Sequence, residues 1–329
     1  MGKLEEAHAR SNAYHLLGRL FEREPQQDMI PMLEMIPELG LALQAASLEQ
    51  LAVEHHRVFS MNVFPFEDIF LGKDNLIGGS IAEEVRASYR QAGFSAGLLA
   101  TANPGHIGTE LNCLSWLCGA EADALEDHQL LITTQMRKMQ FDFLSQHVLR
   151  WILPLTFAIQ RQESHFFEAL SILTLSLVTD HWHDLTQTIV PERPERIEAL
   201  ESVSPAILDD EKTGLKDIAA YLLTPVLSGL FIGVSDIASL GNVIKVPRGF
   251  GSRLQMLTNL LRGTVDYETL PALLDIIDQM ILEWTDFYAR HTDLPHTQEW
   301  QAKLAGTRNL LNTMRQKSDL LRYNLDLRK

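Results

Sequence analysis

Only two cysteines occur among 329 residues, which excludes a disulfide framework. Cys113 and Cys118 are five apart, about 140° around a helix, so they do not bridge each other. They read as buried thiols of a reducing compartment. No apolar run reaches the ~20 residues that a membrane span needs. The longest, near Ala169–Val178 and Leu222–Val234, are interrupted by Ser, Thr or Pro. Met1–His8 has no apolar h-region for secretion, and Glu6 stands where myristoylation requires Ser or Thr. A soluble, cytoplasmic protein is expected. The chain also lacks a nucleophile elbow, a P-loop, a dinucleotide glycine fingerprint, His-Glu-x2-His and Cys-x2-Cys. It has no strand-period segment of useful length, no internal repeat and no low-complexity run. Positive charge is short as well. The net charge of −15 argues against nucleic acid as a partner.

What is present points to an all-α fold. Apolar residues make up 46%, enough for a sizeable core, and the length suits one large domain or two ordinary ones. All of the acidic excess lies early: Met1–Glu211 carries a net −17 and Lys212–Lys329 a net +2. Pro191, Pro194 and Pro205, set among carboxylates, mark the best linker. The expected organisation is a helical domain over 1–190, a linker or hinge over 191–213 and a helical C-terminal part over 214–329.

Helical spacing of Tyr14, Leu17 and Phe21 predicts a helix over Leu4–Glu22, stopped by Pro25. A short helix follows at Met29–Ile36. Ser47-Leu-Glu-Gln50 and Ser80-Ile-Ala-Glu83 are capping-box patterns, each opening a helix. Between them Val63–Gly72 reads as an aromatic loop that must pack on something or bind something. Asn103 and Pro104 predict the start of the next helix, with Ile107, Leu111, Leu114 and Cys118 as its buried stripe. His106 and Glu110 stand four apart on the adjoining row. A long helix is expected over Asp127–Trp151, its stripe built from Leu130, Met136, Phe141, Leu144, Val148 and Trp151, with Pro154 breaking or kinking it. Gln162–Thr188 follows. After the linker, helices are expected at Leu215–Leu223, Ser235–Ile244, Ser252–Leu261, Tyr267–His291 and Gln298–Lys317, with a frayed end from Arg315. Arg248-Gly-Phe-Gly-Ser-Arg253 reads as a helix–helix turn.

Three patterns carry a resemblance. Pro104-Gly-His-Ile-Gly-Thr-Glu-Leu111 is similar to the Pro-Asp-His-x3-Glu-Leu signature of the TorD/DmsD/NarJ family, with Gly105 in place of Asp. Phe66-Glu-Asp68 resembles that family's Tyr-Glu-Ser, with Glu67 retained. Phe143-x3-His147-x3-Trp151 resembles its second signature, with Val148 for Leu. Tyr89-x3-Gly93 is also what the family shows between the first two.

The resemblance implies a helical bundle and a cytoplasmic chaperone without catalysis or a cofactor of its own. Its partner would be the apo catalytic subunit of a molybdopterin-containing oxidoreductase, or that subunit's twin-arginine signal peptide, held until molybdopterin guanine dinucleotide is inserted. The client-binding residues it implies are Phe66, Glu67, Asp68, Tyr89, Pro104, His106, Glu110, His147 and Trp151. Carboxylates at 67, 68 and 110 suit the forked geometry of arginine. Phe66, Tyr89 and Trp151 suit an apolar groove for the h-region. A helical bundle with a long hinge also admits a domain-swapped homodimer. Two other readings stand beside it. One is a helical-bundle metalloenzyme with His106 and Glu110 as ligands, although Glu-x2-His occurs only at Glu5–His8. The other is a structural scaffold.

Overall fold

Helical periodicity dominates the fold as it does the sequence. The computed structural model describes residues 2–74, 76–95, 103–188, 207 and 212–326, and these are all-α. Among them, extended pairing is confined to one isolated antiparallel bridge, Phe66 with His106. The chain divides into two compact units, Met1–Ala199 and Leu200–Lys329. The expected linker falls outside the described residues except for 207 and 212–213.

The first unit contains α1 (Lys3–Glu22), α2 (Ile30–Glu34), α3 (Pro37–Ala45), α4 (Leu48–His55), α5 (Glu67–Leu71), α6 (Ser80–Gln91), α7 (Ile107–Glu126), α8 (Leu130–Phe143), α9 (Leu149–Gln160) and α10 (His165–Thr188). Helix α7 is its axis, and its predicted stripe of Ile107, Leu111, Leu114 and Cys118 is fully buried. Helix α1 runs antiparallel along α7: Ser11 Oγ donates to the Ser115 carbonyl at 2.8 Å, and Gly18 faces Gly108 further along. The approach at that pair is so close that a Cβ on Gly18 would stand 2.8 Å from the Gly108 carbonyl oxygen. Both cysteines are free and buried.

Polar side chains also enter this core, and they are satisfied in sequence. Gln140 donates to the Leu117 carbonyl (3.2 Å) and to Glu121 (2.9 Å), so its Oε1 accepts from His181 Nε2–H at 2.9 Å. His181 Nδ1 then accepts from the Tyr14 hydroxyl at 3.0 Å. Burial, with Arg10 and Arg137 nearby, pushes His181 well below the usual imidazole range, consistent with this neutral tautomer. Glu121 pairs with Arg137 (3.0 Å), Arg137 with Asp184 (2.9 Å) and Asp184 with Arg10 (3.2 Å). The chain of bonds ties α1, α7, α8 and α10 together.

Several sequence expectations are corrected. Helix α6 is capped by Gly79, whose φ of 88° favours glycine, so Ser80 falls inside the helix rather than at its cap. The expected single helix over Asp127–Trp151 starts at Leu130 and passes through a π-helical turn, Leu144–Val148. A π turn inserts a residue and rotates the faces on either side. Upstream, the buried residues are therefore Thr133, Gln140 and Phe143, while Leu130 is 74% exposed and Phe141 half-buried against Trp182. Of the two outcomes expected at Pro154, a break is not what occurs: α9 carries the proline inside, buried in the core, and runs on to Gln160.

The second unit contains α11 (Leu215–Leu222), α12 (Pro225–Ser228), α13 (Val234–Ile244), α14 (Arg253–Asp266), α15 (Leu270–Ala289) and α16 (Thr297–Asp326). Trp284, Tyr288, Trp300 and Phe231 fill its core, and the Tyr288 hydroxyl donates to the Gly229 carbonyl at 2.9 Å. The cap of α13 is Gly233 rather than Ser235, because Asp236 reaches back to the Gly233 amide at 2.8 Å. Helix α14 extends beyond Leu261, and α16 remains helical to Asp326 rather than fraying from Arg315. Within the Arg248–Arg253 turn, Ser252 and Gln255 close a reciprocal capping box, so the helix start is satisfied by its own side chains.

Candidate functional site

Two prolines set up the site. Pro65 and Pro104 lack amide protons, and the segments they interrupt lie against each other as short extended pieces. The Glu67 amide donates to the Gly105 carbonyl (2.8 Å) and the Ile107 amide to the Pro65 carbonyl (3.0 Å). This pairing delays α7. The helix starts at Ile107 with His106 as N-cap, not at Asn103, and His106 Nδ1 accepts from the Gly108 amide at 3.1 Å. The Phe66 and His106 rings meet edge to face with centroids 4.9 Å apart. Val63–Gly72 is only partly a loop, since α5 turns Glu67, Asp68, Ile69, Phe70 and Leu71 all inward.

Glu67 and Glu110 share a buried pocket with His147 and Trp151. Glu67 accepts from His147 Nδ1–H at 3.2 Å, and the Ser88 hydroxyl meets His147 Nε2 at 2.7 Å. Trp151 Nε1–H donates to Glu110 Oε2 at 3.3 Å, and the indole packs on Phe70 at 5.3 Å. Burial, and then the adjacent Glu67 charge, raise the Glu110 pKa well above the usual carboxylate range. A hydrogen bond with Glu67 adds to the rise. Tyr89 donates to the Pro104 carbonyl at 2.7 Å and stacks on Phe143 at 5.7 Å.

Asp68 lies beside this pocket, and its neighbour explains the departure at 105. A Cβ on Gly105 would stand 3.2 Å from Asp68 Oδ2 and 3.3 Å from Glu67 Cβ. A larger residue at 105 and a carboxylate at 68 thus compete for one space. This chain keeps its carboxylate at 68.

Burial raises the Asp68 pKa to about 6, with Glu67 adding to it and backbone amides opposing it. The folded state therefore holds a proton that the unfolded chain releases near pH 3.9. Stability from this group is present below about pH 4 and lost as pH rises to 6. Asp68→Asn, which stays neutral, should gain stability relative to wild type across that interval. Denaturant midpoints at pH 4 and pH 7 test this, and an unchanged difference would refute it. His106 acts in the opposite sense. Burial and His55 push it down to about 4, so its contribution is lost as pH falls from 6.5 to 4.

All nine expected residues gather here, but mostly out of reach of solvent. Glu67, Asp68, Tyr89, Glu110, His147 and Trp151 are buried, as is Pro104, and only Phe66 and His106 are half-buried. The carboxylates face inward rather than lining an open arginine fork. His106 and Glu110, though four apart, turn to different partners. Ser88 is a member that sequence reasoning missed, and nothing in its local pattern marks it. Among the described residues, no three His, Cys, Asp or Glu side chains are arranged to hold a metal ion, and no helix is long and apolar enough to cross a membrane.

Residues 26–156 match the family model described as nitrate reductase delta subunit. That family consists of molybdoenzyme-maturation chaperones rather than catalysts. The matched span contains every residue of the cluster. No curated protein matches the chain.

Proposed function

We propose that this protein is a chaperone that binds the apo catalytic subunit of a molybdopterin-containing oxidoreductase, through its twin-arginine leader, and holds it for cofactor insertion. The observation that carries this reading is the coincidence of the family match with one interlocked cluster, Glu67–His147–Ser88 and Glu110–Trp151, beneath the Phe66–His106 edge. The buried carboxylates and Trp151 hold that edge in place. Phe66 and His106, which keep part of their surface, touch the client. The net charge of −17 over Met1–Glu211 favours a cationic segment, so exposed attraction should fade as salt rises and the Debye length falls below about 8 Å. The chain itself performs no chemistry in this role.

The test is maturation of the client in cells that carry only Phe66→Ala/His106→Ala. Interface anchors are worth ~2 kcal/mol or more, so client capture should weaken roughly thirtyfold, while losing the His106 cap costs only about 1 kcal/mol of stability and leaves the chain folded. Loss of stability without loss of capture would make the edge structural and overturn its assignment. Normal oxidoreductase activity in cells lacking the protein would overturn the chaperone reading itself.

A further inference from the structure

A second feature of the first unit stands outside the cluster. Helices α2, α3 and the start of α4 enclose an open groove of about 650 Å³. Such a volume lies within the range of ligand pockets, about 300–1,000 Å³. Its walls include Ile30, Pro37, Leu41, Leu43 and Leu48, with Glu34 among them. Leu41 is 69% exposed, and Met32 and Met35 are exposed on the adjoining α2 segment, Met35 at 83%. The side chains of the walls are thus mostly apolar, with Gln27 and Gln44 beside Glu34, and only partly covered.

The charge around it is one-sided. From Glu24 to Glu54 the chain carries six carboxylates and not one lysine or arginine. Glu34, Glu38 and Glu49 are exposed there. Arg19 reaches in from α1, but it serves Asp28 at 3.3 Å. An apolar groove with such a rim suits an occupant that is itself apolar and preceded by positive charge. A second copy of this acidic segment would bring like charges together.

We infer that the α2–α3–α4 groove seats the apolar run of the client's leader, while Glu34, Glu38 and Glu49 attract the arginines ahead of it. This deepens the chaperone reading and rests on it. It places the apolar run on a surface separate from the Phe66–His106 edge, so a leader would engage the unit at more than one place.

The experiment titrates the full chain with a synthetic peptide of two arginines followed by a leucine-rich run, at low and high salt. Leu41→Asp alters an exposed side chain, so the fold should persist, as circular dichroism would show. It should weaken the peptide at least tenfold at both salts. Glu34→Arg/Glu38→Arg should weaken it at low salt and flatten the salt dependence. Unchanged affinity in both variants would overturn the groove while leaving the chaperone reading in place. If the wild-type chain bound no such peptide, the groove and the leader reading would both fall, whereas capture of a leaderless apo subunit would still support the chaperone role. A change in sedimentation on Leu41→Asp with peptide affinity unchanged would assign the groove to a second copy and overturn the inference.

Discussion

Gly108→Val should lower the melting temperature of the first unit by about 6–12 °C. The reason lies in the backbone rather than in a flexible side chain. A Cβ on Gly108 would stand 2.7 Å from the Gly18 carbonyl oxygen, besides 2.6 Å from Glu22 Cγ. Glu22 can swing away; the carbonyl cannot move without shifting α1 along its whole length. Overpacking of a well-fitted core costs about 1–3 kcal/mol, and a backbone obstacle belongs at the upper end. About 3 kcal/mol corresponds to that temperature shift at roughly 2–4 °C per kcal/mol for a unit of this size. Gly119→Ala is the control on the same helix. Its Cβ would meet only Ser11 Oγ, at an ordinary 3.4 Å. Replacing a helical glycine by alanine there should be neutral or stabilising by about 0.5–1 kcal/mol. Equal behaviour of the two variants in thermal melts would show that α1 and α7 do not cross as described.

His147→Leu should cost about 3 kcal/mol, because removing one partner leaves a buried acceptor to bear its full desolvation penalty. The substitution leaves the Glu67 carboxylate, fully buried, without the imidazole at 3.2 Å, and leaves Ser88 without its 2.7 Å contact. Adding Glu67→Gln removes the orphaned charge. If the pair is what matters, the double variant should be more stable than the sum of the single losses predicts, with a coupling of about 1–3 kcal/mol. Denaturant unfolding of the four proteins measures it. Strict additivity would mean that Glu67 finds another partner and that the two residues do not act as one unit.

Much of the fold was legible because it depends on spacing. The Ile107–Cys118 stripe and the Ser47 capping box follow from local periodicity and local hydrogen bonding, and both are present. What failed at the site shares one cause: long-range partners override local signals. Asn103 and Pro104 have the chemistry of a helix start. The Pro65–Glu67 segment claims their stretch for backbone pairing instead, and no local pattern shows that. The π turn at Leu144–Val148 is equally silent in sequence, and it moved the buried face away from Leu130 and Phe141. Which residues meet in the candidate cluster was legible, but not their orientation. Sequence placed carboxylates at 67, 68 and 110 as if for solvent. The structure turns Glu67 onto His147 and Glu110 onto Trp151 and buries Asp68 beside them, because apolar α5 buries what shares its turn and Glu110 lies against the buried stripe of α7.

The bond chain through His181 also sets a schedule for synthesis. Tyr14 meets a partner 167 residues later, and Arg10 meets Asp184 across 174 residues. A ribosome adds about 5–20 residues per second, so α1 waits roughly 9–35 s before α10 is made. During that wait Tyr14 lacks its partner and Arg10 has only Glu6, within α1 itself, while the apolar face of α1 can rest only on α7, once α7 exists. A protein proposed to shelter an unfinished client would thus itself pass through a vulnerable nascent interval. Slowing translation after residue 126 should lengthen the protease-sensitive period of the nascent chain, and a stall placed beyond α10 should not.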